Sequence, residues 1–441
     1  MLSYNKNMYS FFDCIITFFL FYLIFIIRYQ TNIFESTTFR PITFEIFIMF
    51  FSYSAIITIL NIAMKLYEFN KLYSIKNSIF YLYLVSIITA LSFGLFFYIS
   101  KVDFARFVFF TGLILNPIIL TLFNKFFFRF LFPYNRNQLL FYIGEEKDFI
   151  YIKELVDKYK KILNIQLIKI NSQSNINFLI DINTIIVIDE NSKVQKEFVK
   201  LLTDYELKGG MIYTITDLYD YLDESIPSNL ISSDDFKQFS SYKINNFYSK
   251  YLKRIGDIVI SIILLILTLP ILLITALLIK ITSKGPIIYF QSRVGQKGID
   301  FKMYKFRTMV KNAETDKALL TTKHDSRVTS IGKIMRPFRI DELPQLFNIL
   351  KGDMSFIGPR PERKEIIDQI LDVCPVFNKR LLVKPGLTGW AQVKFKYIDD
   401  IHEMHRKLDY DLYYIKNISL LIDLKIVLYT IETILFRRGA L

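Results

Sequence analysis

The sequence predicts a three-part membrane protein: a four-helix transmembrane bundle, a Rossmann-like α/β domain, and a small α/β catalytic domain with a re-entrant membrane hairpin and interfacial helices. Three observations lead there. Hydrophobic residues make up 52% of the chain and mean hydropathy is +0.31, above the balance of an ordinary soluble domain. Four apolar runs fill the first third. Strand-like and helix-like segments then alternate as far as Ile215. Disordered, collagen-like and small disulfide-rich classes are excluded. The two cysteines, Cys14 and Cys374, imply neither a disulfide framework nor a metal cluster. A net charge of +14 in so apolar a chain suits anionic lipid headgroups or phosphorylated substrates, not nucleic acid.

The apolar runs cover residues 11–27, 44–64, 79–99 and 104–123, each long enough for a bilayer-spanning helix. The first has the position of a signal peptide but no small-residue cleavage site, so it reads as a retained helix. Pro117 falls inside the fourth, where it kinks a helix without ending it. With the N-terminus inside, the inner segments hold Lys6, Lys65, Lys71, Lys76, Lys125, Arg129 and Arg136. The outer loops hold only Arg28, Arg40, Lys101 and Arg106, a bias that places both ends of the bundle in the cytoplasm.

After Pro133, residues 139–143, 165–170, 184–189 and 211–215 read as strands, and 147–161 and 193–207 as helices. This alternation is that of a parallel sheet. The turn at Gly144 has one glycine where a dinucleotide fingerprint has several, and Glu145 and Glu146 repel a pyrophosphate. The domain therefore reads as structural, without a cofactor. The expected limits are 1–133 for the bundle, 134–224 for the α/β domain, 225–247 for a polar linker containing Pro227, and 248–441 for the catalytic domain.

That last domain opens on Lys253-Arg254 and Asp257, and residues 258–281 are almost wholly apolar around Pro270. Length alone allows a fifth span. A full crossing would carry everything after Lys284 outside the cell, away from cytoplasmic nucleotides. Pro270 removes one backbone hydrogen bond and instead predicts a helix–break–helix hairpin over 251–283 that returns to its own side. At the far end, the apolar run 418–436 is interrupted by Asp423, Lys425 and Glu432, costly in lipid, and reads as an amphipathic helix in the interface.

Between them the chain is dense in Arg and Lys, with Gly and Pro turning it. It reads Gln291-Ser-Arg293-Val-Gly295, Lys302-Met-Tyr-Lys305-Phe-Arg307-Thr308-Met309, Arg336, Arg339 and Asp341-Glu342-Leu-Pro344-Gln345. Lys351-Gly-Asp353-Met, Gly358-Pro-Arg360-Pro-Glu362-Arg363 and Pro385-Gly386-Leu-Thr388-Gly389-Trp390-Ala-Gln392 follow. Arginine forks match phosphate oxygens. A carboxylate among them can attack phosphorus or hold Mg²⁺, and a positive field keeps both acids ionised at neutral pH. The plainer alternative is that Asp341 caps a helix starting at Glu342 and the arginines form surface ion pairs. His324 stands alone, and His402 and His405 lack a third metal ligand. No Ser-His or Cys-His pairing and no Walker-type loop occurs.

From Tyr251 to Leu441 the order of these motifs, ending in Tyr410-Asp-Leu-Tyr-Tyr-Ile-Lys-Asn417, closely resembles the bacterial sugar transferases, the monotopic polyprenyl-phosphate phosphoglycosyl transferases. The whole chain is similar to their long, exopolysaccharide-initiating members. The resemblance implies transfer of a phospho-sugar from a UDP-sugar to polyprenyl phosphate, releasing UMP. It implies two steps through a phosphosugar-aspartate, assisted by Mg²⁺. By position it makes Asp341 the nucleophile and Glu342 the metal holder, with Arg336 and Arg360 gripping phosphates and Lys305 and Arg307 on the site wall. It implies a hairpin broken at Pro270, where Leu269 replaces the Ser often found before the Pro and Thr268 stands one residue earlier. Many members have a Gly-Arg pair where this chain has Lys394-Phe-Lys396-Tyr397, a departure on the sugar side. It further implies a bacterial inner-membrane location with the catalytic domain on the cytoplasmic face. Membrane lipids, downstream glycosyltransferases and polysaccharide export machinery are the implied partners. Homo-oligomerisation and the identity of the sugar stay open. Two other functions compete: an inactive scaffold holding lipid-linked sugars, and a glycosyltransferase that moves the sugar alone and releases UDP.

Overall fold

The structure, a computed structural model, describes residues 6–31, 43–63, 66–67, 75–100, 106–131, 138–163, 165–169, 184–189, 196–231, 244, 246–283, 285–310, 327–395 and 404–435. Lys65, Lys71, Arg40, Lys101, Arg136, Lys284, His324, His402, Lys396 and Tyr397, and most of the expected linker, lie outside these residues. The chain divides into two compact units, Met1–Ile215 and Thr216–Leu441.

In the first unit, α1 (Lys6–Tyr29), α2 (Phe44–Ala63), α3 (Ile75–Ser100) and α4 (Arg106–Leu131) occupy all four apolar runs. Each packs on the next and α4 closes back on α1. The stretches Met8–Tyr29, Phe44–Ile62 and Phe107–Phe127 are long and apolar enough to cross a membrane, and α3 contains the shorter apolar stretch Tyr81–Leu91. The abundance of aromatic residues has a packing role. The ring of Tyr53 on α2 lies 4.7 Å from Phe21 of α1, 5.2 Å from Phe93 of α3 and 5.0 Å from Phe109 of α4. Four helices therefore meet on one tyrosine. Gly112 supplies the room, since a Cβ there would lie 2.4 Å from the Phe21 ring.

The α/β part follows the expected alternation: β1 (Gln138–Ile143), α5 (Glu146–Leu163), β2 (Ile165–Lys169), β3 (Ile185–Ile188), α6 (Lys196–Leu207) and β4 (Met211–Thr214). All pairings are parallel, in the order β2-β1-β3-β4, with Leu140 opposite both Leu167 and Ile185. Gly144 serves packing at the end of β1: a Cβ would lie 2.4 Å from both the Tyr142 hydroxyl and Asp189.

The second unit starts with α7 (Ile215–Leu222) and a strap that runs to Leu230 and is sealed onto the rest. Glu224 takes a left-handed φ of 55°. Its carbonyl accepts from the indole of buried Trp390 at 2.9 Å, and its carboxylate pairs with Lys394 at 3.0 Å and with Lys425. Ser228 N–H donates to Asp409 at 2.7 Å, and Lys416 reaches Asp220 at 2.7 Å. Residues 220–230 thus share the core around Trp390, Phe377, Leu408 and Tyr414.

A π-turn at Tyr248–Leu252 leads into α8 (Lys253–Thr282), which continues unbroken through Pro270 where a break was expected. Proline's fixed φ suits a helix and only one backbone bond is lost. Thr268 donates to the Leu264 carbonyl at 2.7 Å, not to the Ile266 carbonyl that Pro270 leaves without its N–H. Both ends of α8 are tied to one unit. Arg254 donates to the Ile349 and Leu350 carbonyls at 2.5 and 2.7 Å, and Ser283 accepts from Arg307 at 2.6 Å. Between these tethers Leu264 and Leu265 pack on Leu346 and Met354, and Ala276 and Ile279 on Phe306 and Met335. The other side of α8, including Ile266, Leu267, Leu273 and Ile281, is exposed.

The remaining scaffold is small. Antiparallel β5 (Ile288–Val294) and β6 (Asp300–Phe306) form a hairpin, and β7 (Ser355–Ile357) pairs in parallel with β8 (Gly386–Thr388). The helices are α9 (Ser330–Met335), α10 (Gln345–Lys351), α11 (Lys364–Leu371), α12 (Trp390–Lys394), α13 (Met404–Lys416) and α14 (Leu420–Leu435). In α14 the buried face is mixed, with Ile422 and Ile426 in the core beside two charges. Asp423 and Lys425 are buried in ion pairs, while Leu420, Leu421 and Ile431 are exposed.

Candidate active site

The Asp341-Glu342 pair sits in a short 3₁₀ turn, Ile340–Glu342, just ahead of α10. Arg339 adopts a left-handed conformation, φ 54° and ψ 26°, which ends the preceding turn and throws the two acids toward β6. Pro344, not Asp341, holds the N-cap of α10, so the capping alternative is not what the fold uses. Asn348 of α10 fixes the distance to β6, accepting from Tyr304 N–H at 3.0 Å and donating to the Lys302 carbonyl at 2.8 Å.

Glu342 is buried and surrounded by cations. Its carboxylate lies 3.3 Å from Lys305, 3.3 Å from Arg339 and 3.1 Å from Arg360. Burial works against its charge, but Lys305, Arg360 and Arg339 outweigh it and hold the carboxyl far below the usual range. Burial in turn lowers the Lys305 ammonium. Asp341 behaves in the opposite way. Burial, then the charge on Glu342, push it up to about 6 against the pull of Lys305 and Arg336. The field that keeps Glu342 ionised is thus largely spent on it, so both acids are ionised at neutral pH but Asp341 by a much narrower margin.

Arg336 stands near Asp341 and donates to the Thr308 hydroxyl at 3.1 Å. Arg307 does not join the cluster. It is buried at the end of α8, donating to the Ser283 carbonyl at 2.9 Å, with Nε and Nη1 lacking a hydrogen-bond partner. Pro270 is likewise a feature of α8, not of the acid pair.

Arg360 is held from behind. The Gly358-Pro-Arg loop follows β7 and lies against β8, where three glycines meet backbone to backbone. A Cβ on Gly386 would lie 2.1 Å from Gly358 N, and one on Gly389 2.1 Å from Gly358 O. Buried Arg380 donates to the Arg360 carbonyl at 2.7 Å and to Asp411 at 2.9 Å. Glu362 accepts from Lys407 at 2.6 Å and pairs with Arg293 at 3.5 Å. Burial opposes the Glu362 charge, yet Lys407, Arg380 and Arg293 bring its carboxyl down to about 2. Arg380, Asp411 and Lys407 carry no phosphate-binding signature in the sequence; only Asp411 falls inside a quoted motif block, with Arg380 and Lys407 just ahead of the last two blocks. Lys394 is also accounted for, since it lies against Glu224 and Trp390.

Among the described residues no three of His, Cys, Asp and Glu stand close enough to hold a metal alone. The arrangement is instead one carboxylate bonded to its own backbone N–H, one locked among cations, and several arginine forks. Arginine forks of this kind match phosphate oxygens.

Comparison with known proteins agrees. Residues 248–437 match the family model described as bacterial sugar transferase. The chain is 48% identical over 190 residues to a UDP-N-acetylgalactosamine-undecaprenyl-phosphate N-acetylgalactosaminephosphotransferase of Aeromonas hydrophila, covering 43% of this chain and 45% of that protein. It is 43% identical over 181 residues to a UDP-glucose:undecaprenyl-phosphate glucose-1-phosphate transferase of Klebsiella pneumoniae, covering 41% and 39%. The chain thus matches less than half the length of either relative. A shorter one is covered more fully: a putative undecaprenyl-phosphate N-acetylgalactosaminyl 1-phosphate transferase of Bacillus subtilis (strain 168), 46% identical over 147 residues, which are 33% of this chain and 82% of that protein. Every residue of the acid pair and its basic ring falls inside residues 248–437, and the chain belongs to the bacterial sugar transferases.

Proposed function

We propose that the chain moves a sugar-1-phosphate from a UDP-sugar to a polyprenyl phosphate such as undecaprenyl phosphate, releasing UMP and starting a lipid-linked repeat unit for exopolysaccharide, capsule or O-antigen. One observation carries the reading. Asp341, whose carboxylate accepts from its own backbone N–H, sits beside a Glu342 locked among Lys305, Arg339 and Arg360, with Arg336 at hand. In the first step a carboxylate oxygen of Asp341 attacks the phosphorus that bears the sugar. The bond from that phosphorus to the bridging oxygen breaks, and UMP leaves with the electron pair. In the second, an oxygen of the polyprenyl phosphate attacks the same phosphorus and expels the Asp341 carboxylate. Arg360 and Arg336 hold phosphate oxygens through both steps, and Glu342 keeps the basic side chains in register.

Mg²⁺ fits these residues only in company. Two adjacent carboxylates, one already facing three cations, need phosphate oxygens to complete a hard-cation site. Glu342, with Asp341 alongside, would hold it, and when bound it neutralises charge on the diphosphate. Arg307, buried at the end of the apolar helix α8, suits the acceptor's phosphate better than the donor's. Helix α8, tethered to one unit at both ends, is taken to enter and leave the bilayer on the cytoplasmic side. The test is the purified full chain with Mg²⁺, polyprenyl phosphate and a panel of UDP-sugars. UMP release with one of them is expected. Release of UDP would mean transfer of the sugar alone, and tight lipid-sugar binding without nucleotide release would mean a scaffold.

A further inference from the structure

The transmembrane bundle contains a polar cluster that the transfer reaction does not use. Asp13 of α1 and Asn61 of α2 are fully buried, and Asn124 of α4 is 3% exposed. Asp13 Oδ2 accepts from the Tyr67 hydroxyl at 2.7 Å, from the Asn124 amide at 3.3 Å and from the Asn61 amide at 3.5 Å. Asp13 Oδ1, Asn61 Oδ1 and Asn124 Oδ1 are buried without any hydrogen-bond partner. All three are acceptors, so what the cluster lacks is a donor or a positive charge. No described Lys, Arg or His pairs with Asp13. A bare carboxylate among apolar helices is costly. A proton on Asp13 would supply one donor for several unsatisfied oxygens. A cation can be shared by all of them, because either amide can turn its oxygen toward the carboxylate. With one formal negative charge to neutralise, a divalent ion would leave an excess positive charge in the bundle.

We propose that Asp13, Asn61, Asn124 and Tyr67 form a binding site for one dehydrated alkali cation, sodium or potassium, inside the bundle. The ion joins three of the four helices, so the folded bundle is linked to its concentration.

The test uses the full chain in lipid nanodiscs, with sodium, potassium or choline chloride at constant ionic strength. The unfolding temperature is expected to rise saturably with sodium or with potassium over choline, and whichever ion acts identifies the ligand. Asp13→Asn and Asn124→Leu are expected to lose that response. Radioactive sodium and rubidium binding to the unmodified chain gives a readout that does not depend on any variant folding. Stoichiometric, saturable binding of one of them is expected. Equal unfolding in all three salts with no saturable binding overturns the proposal. So does an unfolding temperature that follows pH but not the alkali ion, which would assign Asp13 a proton instead.

Discussion

Asp341 and Glu342 are neighbours in the chain with opposite electrostatic surroundings, and their substitutions separate accordingly. The fold raises the Asp341 carboxyl from 3.8 to about 6, so above that pH the ionised group works against the folded state. Asp341→Asn is therefore expected to stabilise the second unit by on the order of 1 kcal/mol at neutral pH, while abolishing the covalent phosphosugar adduct seen by mass spectrometry. Glu342→Gln leaves Lys305, Arg339 and Arg360 facing one another and is expected to cost roughly 2–4 kcal/mol, read as a lower unfolding temperature. Raising Mg²⁺ should partly restore its activity and should not restore Asp341→Asn. Acid separates chemistry from folding in the same way. Adduct formation is expected to fall as pH drops through about 6, where Asp341 takes a proton. The stability that Glu362 provides is full above its unfolded value of 4.5 and is lost as pH falls toward about 2. Inactivation at pH 5 should therefore reverse on return to neutrality. The acid pair stood out by its setting among arginines, and the family resemblance gave it a role. Its unequal ionisation was not legible, because it depends on Glu342 alone receiving three cations, brought from β6, from the turn at Arg339 and from the loop after β7.

At the scale of the element, α8 shows what hydropathy can and cannot tell. Its length and apolar character were plain, and so was Pro270. The tethers were not, since Arg254 reaches Leu350 and Arg307 reaches back to Ser283. Against these tethers, Pro270→Leu restores an N–H to the Ile266 carbonyl and stiffens an apolar helix long enough to span. A membrane-impermeant maleimide applied to intact cells is expected to leave Ile281→Cys unlabelled in an otherwise native α8, and to label it when Pro270→Leu is added. The alternation of β1 to β4 was legible almost to the residue, because buried parallel strands are written as β-branched runs. The sequence of α14 read as an interfacial amphipathic helix, but which side faces the protein depends on Glu224, Tyr248 and Lys253, all far away in sequence.

For the whole molecule, the strap between Asp220 and Leu230 sets where the second unit begins. Its polar composition and Pro227 read as a linker, and motif positions alone suggest that a chain starting near Ser240 keeps the chemistry. The strap's contacts say otherwise. Such a chain would leave Lys394 and Lys425 without Glu224, and Trp390 and Asp409 without their strap partners. It is expected to be less stable by roughly 3–5 kcal/mol than one starting before Thr216, measured by thermal unfolding in detergent, and to release less UMP. Glu224→Gln in the full chain should show a smaller loss of the same kind.

The exposed leucines and isoleucine of α14, set beside the exposed side of α8, have a practical meaning. Severing the chain near Ile215 would not yield a water-soluble enzyme. The C-terminal fragment would still sediment with vesicles, resist extraction by high salt, and come off only with detergent. Lipid is part of its solvent, and removing it exposes rows of leucine and isoleucine that will find each other instead.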